Sequence, residues 1–209
     1  VFDNTCPLFD LESIQPNLLK LYDSRFVPYA PTLARLMESY LTTMYGCGLR
    51  VSEGIALEVT DIDAQRKVIL IRNGKGRKDR YVPLGENLLQ QLRDYWRTYK
   101  PSRFLFPGSQ ADRPWNVTGV RQEFRLAVRI AGIDKPYTTH TLRHRYASHC
   151  LQAGMKVGTI QQVLGHANLE TTATYTHVTG GTGGAEAPFP DLLAEDPHED
   201  TGDQRSSPS

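Results

Sequence analysis

The sequence is short of cysteine. Cys6, Cys47 and Cys150 are widely spaced and odd in number, and no CxxC or paired Cys/His metal spacing occurs. That excludes a disulfide-stapled scaffold and a zinc ribbon, and points to reduced thiols in a cytosolic setting. No apolar run approaches the ~20 residues that span a bilayer, so no membrane association is expected. The opening "VFDNTCPLFD" has neither a basic n-region nor a continuous apolar core, which excludes a secretory signal there. An initiator Met is also missing, and the expectation is a fragment or a processed chain. Internal repeats are absent. Neither sign of charge dominates overall, with 24 Lys and Arg against 23 Asp and Glu for a net of +1.

That near-neutrality hides an asymmetry. Residues 180–209 hold seven acids (Glu186, Asp191, Glu195, Asp196, Glu199, Asp200, Asp203) and one base, Arg205. The body before Gly180 therefore keeps 23 bases and 16 acids, a net of +7. A basic body suits a polyanionic partner, although many ordinary domains carry as much charge. The 209 residues suffice for one sizeable domain with extensions, and 39% hydrophobic with 22% charged residues reads as a soluble globular chain.

Periodicity gives the organisation. "PTLARLMESYLTTMY", residues 31–45, places Leu33, Leu36, Met37, Tyr40, Leu41 and Met44 at helical spacing, and Gly46 and Gly48 interrupt it. "RVSEGIALEV" predicts a short helix with Ser52 as N-cap. The chain turns extended near Val59–Asp63. "KVILI" (67–71) and "RYVPL" (80–84) predict two antiparallel strands joined by the basic, Gly-rich turn "NGKGRKD". Helices are predicted over 86–99, with Leu88, Leu89, Leu92, Tyr95 and Trp96 on one face, and over 117–130, ended by Gly132. Another is predicted over 141–153, with Leu142, Tyr146, Ala147, Cys150 and Leu151 inward, and a short one over 157–164 closing at Gly165. Asn168 is a candidate cap for a last helix running through Tyr175. Past Gly180 the Gly, Pro, Asp, Glu and Ser content predicts disorder, apart from the apolar "APFPDLLA".

Several residues could serve phosphate chemistry. Arg50, between the glycines of "GCGLRVSE" and a short helix, could present its planar fork to two phosphate oxygens; alone, it reads as well as a surface arginine or an ion pair with Glu53. His140 and Arg143, three apart in "HTLRH", share one face at a helix start, where the free N–H groups favour an anion; an isolated pair of this kind also fits a solvated helix start capped by Thr139 or Thr141. His144 and His149 lie on other faces and read as structural. Lys75, flanked by glycines at the hairpin tip, could deliver a proton to a leaving oxygen; alone, the turn reads as well as a basic loop that merely touches DNA backbone, as Arg77, Lys78 and Arg80 are expected to do in either case. His166 follows a helix-ending glycine and could point into a cleft, or simply interact with the helix dipole. Tyr175 sits nine residues further on among threonines; Tyr40, Tyr95 and Tyr146, on apolar faces, read as packing residues.

Arg50, Lys75, His140, Arg143, His166 and Tyr175 occur in the order, and with about the spacing, found in tyrosine recombinases, the phage integrase family. The stretches "GLRVSE", "GKGRKDRYVPL", "HTLRHRYASHCLQAG" and "LGHANLETTATYTHV" carry the likeness, and residues 10–178 resemble that family's catalytic domain, closest to its Xer and integron-integrase branch. The resemblance implies a mainly helical α+β fold with a small three-stranded antiparallel sheet and a basic hairpin. It implies a linker and domain start over 1–30 and a catalytic domain over 31–179, while composition makes 180–209 an acidic tail expected to be disordered. It also implies DNA strand breakage and rejoining through a 3′-phosphotyrosyl intermediate, with Tyr175 as nucleophile, Arg50 and Arg143 on the non-bridging oxygens, Lys75 as acid, His140 as proton acceptor or donor and His166 bonded to the phosphate. No metal, cofactor or ATP is implied. The implied partner is double-stranded DNA, bound by a homo-tetramer on paired sites, in a bacterial cytoplasm at the nucleoid. Two other functions share the pattern: type IB topoisomerase-like relaxation of DNA, and a truncated, non-catalytic DNA-binding or regulatory remnant. Relatives carry an N-terminal helical domain that clamps the far side of DNA, and fewer than fifty residues precede Arg50 here. Thr139 stands where many relatives have proline, and Arg145 where a small hydroxyl residue is common.

Overall fold

The computed structural model describes residues 30–72, 78–110, 112–130, 132–135, 137–165 and 189–194. Helix α1 (Ala30–Gly46) buries Met37, Tyr40, Leu41 and Met44, the face its periodicity predicts. After a tight turn, α2 (Val51–Ile55) starts with Arg50 rather than Ser52 as its N-cap: Arg50 is extended, and the Glu53 carboxylate accepts its backbone N–H at 2.8 Å. A short 3₁₀ turn (Val59–Asp61) leads into a three-stranded antiparallel sheet of order β1-β2-β3, with β1 Ile62–Asp63, β2 Val68–Ile71 and β3 Arg80–Pro83. Register pairs Ile69 with Val82 and Ile71 with Arg80.

Four more helices complete the described fold: α3 (Glu86–Tyr99), α4 (Val117–Ile130), α5 (Thr139–Gln152) and α6 (Val157–Leu164). Helix α5 starts two residues earlier than predicted, because extended Thr138 takes the N-cap position and donates its N–H to the Thr141 hydroxyl at 3.1 Å. The core gathers the inner faces of all these helices around Tyr40, Phe106 and Phe124. Tyr40, Tyr95 and Tyr146 are buried packing residues. Trp96 and Leu151 are not inward: they are 45% and 47% exposed. Trp96 continues the Leu89–Leu92 row onto an open groove of about 370 Å³, and Leu151 lies a full helical step round from buried Cys150.

Segment 189–194 packs back on its own chain. Asp191 accepts the Asn87 backbone N–H at 2.9 Å, at the open first turn of α3, and Asn87 donates to the Leu193 carbonyl at 3.0 Å. Phe189, Leu192 and Leu193 rest on the core. Cys47 and Cys150 are free and buried, and burial pushes their thiols up to about 12 and about 11, which leaves them inert near neutrality. Among the described residues no helix is long and apolar enough to cross a membrane, and no group of side chains is arranged to hold a metal ion.

Candidate active site

The turn between α1 and α2 brings Arg50 to its place. Gly48 holds φ at +60°, and a Cβ there would lie 2.5 Å from the Tyr146 ring and 2.9 Å from Leu164, so only glycine lets α5, α6 and this turn close together. Its carbonyl then accepts a hydrogen bond from Arg143 at 2.7 Å. Gly165 ends α6 in the left-handed conformation, at φ +65°, as the sequence predicts.

Three arginines converge on the end of α6. Arg80 Nε donates to the Val163 carbonyl at 2.7 Å, Arg143 to the Leu164 carbonyl, and Arg50 to the Gly165 carbonyl at 3.3 Å. Three consecutive carbonyls at the negative end of a helix thus each take one guanidinium. The same three cations face a single buried carboxylate. Glu53 accepts Arg80 on both oxygens, at 2.8 and 2.9 Å, and Arg50 at 2.7 Å, with Arg143 3.9 Å away.

Burial alone would push the Glu53 carboxyl upward. The hydrogen bonds and charge of Arg80, then the bonds from the Arg50 backbone and side chain, overturn that and hold it at about 2. Burial, with the neighbouring charge of Arg50, lowers Arg143 to about 10 against the opposing pull of Glu53. Arg143 is therefore a cation near neutral pH.

The depressed Glu53 pKa sets a pH dependence. Its contribution to stability is complete above the ordinary value of 4.5 and is lost as pH falls towards about 2. The shift corresponds to roughly 3 kcal/mol. The stability gap between the parental chain and Glu53→Gln, measured by urea denaturation, should therefore shrink as pH drops from 5 to 2. A gap constant over that window would mean that Glu53 titrates as an ordinary surface carboxylate.

The predicted site residues divide as follows. Arg50 and Arg143 meet around Glu53. Arg50 keeps 24% of its side chain exposed and, among the described residues, commits two of its five N–H groups, so its fork can still receive an anion. Both earlier readings of Arg50 hold together: it is an ion pair and it lies at the surface. His140 is exposed in the first turn of α5, and Arg143 lies three residues further along the same helix, in its second turn. Lys78 is exposed beside the hairpin. Lys75, Arg77, His166 and Tyr175 lie outside the described residues, as does the helix expected after Asn168.

Arg80 is placed otherwise than expected. It is only 9% exposed, and its guanidinium is taken up by Glu53 and Val163. On β3 it shares the inward phase with Val82, and a charged residue in that phase must be paired to be buried. Sequence reasoning also missed the role of Glu53 as the common partner of three arginines. Its position three residues after Arg50 was visible; the approach of Arg80 and Arg143 was not. His149, read as structural, is half-buried and its Nδ1 shares a 2.5 Å hydrogen bond with the Tyr45 hydroxyl, tying α5 to α1.

Comparison with known proteins agrees with this architecture. Residues 23–181 match the model of the phage integrase family, and the chain belongs to that family. It is 49% identical over 138 residues to an integrase/recombinase of Sinorhizobium fredii, covering 66% of this chain and 45% of that one. It is 35% identical over 174 residues to the tyrosine recombinase XerD of Pseudomonas putida, covering 78% and 58%. The chain spans about half the length of such curated relatives. Among solved structures, the crystal structure of XerA recombinase superposes with a TM-score of 0.62 at 29% identity, over 85% of this chain and 61% of that one. At 22% identity and a TM-score of 0.64, XerH bound to its palindromic difH substrate shares the fold, over 82% of this chain and 48% of that chain. These neighbours establish the tyrosine-recombinase catalytic-domain fold for the mainly helical chain and its small sheet.

Proposed function

We propose that this chain is the catalytic part of a site-specific DNA recombinase that breaks and rejoins double-stranded DNA through a 3′-phosphotyrosyl intermediate. The observation that carries it is the convergence of Arg50 and Arg143 on one buried carboxylate, with the Arg50 side chain 24% exposed and His140 on the same helix as Arg143. Relatives named as tyrosine recombinases and integrases support the assignment.

The chemistry balances without an external energy source. The Tyr175 oxygen attacks phosphorus and a phosphotyrosyl bond forms. The bond from phosphorus to the 5′ oxygen breaks, and that oxygen leaves with a proton from Lys75. His140 takes or returns the tyrosine proton. A tyrosine with an ordinary pKa near ~10 needs such help at neutral pH. Arg50 and Arg143 stabilise charge growing on the non-bridging oxygens, and His166 adds a hydrogen bond to the same group. Because the phosphate stays in an ester of similar energy, a second 5′ hydroxyl can attack it and reseal the strand. Lys78 and Arg77 contact the backbone beside the cut. Four copies acting on paired sites would complete a strand exchange. Residues 31–179 would form the catalytic domain, 1–30 its linker and first segment, and 180–209 an acidic tail whose 189–194 stretch packs on α1 and α3.

Incubation with a nicked suicide duplex tests the proposal, since loss of a short 5′-hydroxyl fragment prevents resealing. The chain should become covalently joined to the 3′ end of the DNA, visible as a band of reduced mobility under denaturing conditions. Absence of the band over a range of family-type sites would count against strand cleavage and favour a DNA-binding remnant.

A further inference from the structure

We propose that Arg80 is a positioning residue whose task is to saturate Glu53, so that Glu53 orients Arg50 without quenching it and leaves Arg143 open to phosphate. A carboxylate offers about four acceptor sites on its two oxygens. Glu53 uses four: two for Arg80, one for the Arg50 side chain and one for the Arg50 backbone N–H. No site remains for a second bond to Arg50 or a direct bond to Arg143, which stays 3.9 Å away. Arg50 is therefore held by one guanidinium nitrogen on Glu53 rather than by its whole fork.

The position of Arg80 suits this task and little else. It is as buried as Arg143, but all three of its guanidinium nitrogens are committed within the protein, two to Glu53 and one to Val163. Its third contact, Nε to the Val163 carbonyl at 2.7 Å, fixes its plane. Gly165 lies against the Arg80 side chain, and a Cβ there would sit 3.2 Å from its Cδ, Nε and Cζ. One buried side chain thus joins β3, α2 and the end of α6. It also adds a third positive charge against a single negative one. The cluster of Arg50, Arg80, Arg143 and Glu53 has a net charge of +2, suited to a phosphoryl group that gains negative charge in its transition state. Without Arg80, two acceptor sites of Glu53 would open next to the two arginines that the phosphate needs. Glu53 would close on them, and the phosphate would have to compete with a carboxylate already in place.

The rate arm of the test rests on the DNA-cleavage reading above; the spectroscopic arm does not. In the rate arm, single-turnover adduct formation is measured on the suicide duplex. Arg80→Met should slow it on the order of tenfold while leaving duplex affinity nearly unchanged. Arg80→Lys, whose single ammonium keeps a charge beside Glu53 but cannot fill both of its oxygens, should recover only part of that loss. In a Glu53→Gln background, where no carboxylate remains to close, Arg80→Met should cost little further. Equal losses in both backgrounds would overturn the proposal.

In the spectroscopic arm, hydrogen exchange of the Arg50 guanidinium is followed by NMR on arginine-labelled chain without DNA. Exchange should slow severalfold in Arg80→Met as Glu53 takes a second bond to Arg50. Unchanged or faster exchange would overturn the proposal, whether or not the chain cuts DNA and whether or not Glu53→Gln folds. Thermal melts show which variants fold. Should Arg80→Met fail to do so, Arg80→Lys takes its place in this arm: its single ammonium cannot fill both Glu53 oxygens, so Arg50 exchange should still slow, and unchanged exchange again overturns the proposal. A parental chain that forms no adduct, together with the expected exchange shift, would sink the cleavage reading and leave the role of Arg80 standing.

Discussion

Replacing Tyr175 with phenylalanine should abolish the covalent adduct altogether while leaving fold and most DNA affinity in place. The substitution removes one oxygen and nothing else, and that oxygen is the only atom in the proposed step that becomes bonded to phosphorus. Arginines, lysine and histidines stabilise the reaction by degrees, and each can be lost with some residual rate. A nucleophile has no such partial substitute, since phenylalanine has no lone pair to give. The measurement compares adduct yield on the suicide duplex with binding in a gel-shift titration. Tyr175→Phe should shift the duplex at close to the parental concentration, because nonspecific affinity comes from phosphate contacts spread over the basic body. It should give no band of reduced mobility under denaturing conditions at any time. A normal yield of adduct would end the assignment of Tyr175 and, with it, the reading of the "LGHANLETTATYTHV" stretch.

The helices were legible in the sequence wherever one face is apolar at a period near 3.6. Residues 86–99, 117–130 and 157–164 form helices with the predicted ends, and α1 extends its predicted span by one residue at each end. Each is bounded by a local stop, such as Gly132 or Gly165 at positive φ. What was not legible depends on residues distant in the chain. Ser52 looked like a helix cap because serines commonly cap; Arg50 took the position because the Glu53 carboxylate reaches back to its N–H. Trp96 followed the spacing of Leu92, yet the surface it faces is an open groove, which only tertiary packing decides. The candidate site shows the same division. Arg50, His140 and Arg143 stood out by residue type and order. Arg80 looked like one more base in the turn "GKGRKDR", because composition counts charges and cannot tell a solvated one from one buried against Glu53, 27 positions away.

Arg143→Lys tests whether geometry or charge does the work at the phosphate, and the expected effect is a loss on the order of 10²-fold or more in cleavage. Arg143 is a cation near neutral pH, lowered by burial and Arg50 only to about 10, and a lysine held beside Glu53 is expected to stay charged as well. Charge is therefore nearly constant across the substitution. The fork is not. Arg143 already spends one terminal nitrogen on the Gly48 carbonyl at 2.7 Å and the other on the Leu164 carbonyl. Those two bonds fix its plane between the turn that carries Arg50 and the end of α6, and in the proposed step its remaining N–H groups would meet a phosphate oxygen from that fixed plane. A single ammonium cannot hold both carbonyls and the phosphate in one plane. Because the lost interaction strengthens as charge develops, the rate should fall much more than the affinity. Some stability should go as well, since two buried carbonyls are left with poorer partners. A melting curve at the assay temperature separates that cost from the chemical one: a chain still folded and still binding duplex, yet slow to form the adduct, is the expected outcome. Arg143→Ala should be slower again. Cleavage by Arg143→Lys at the parental rate would mean that a point charge suffices, and the planar arrangement around Glu53 would then have no catalytic consequence.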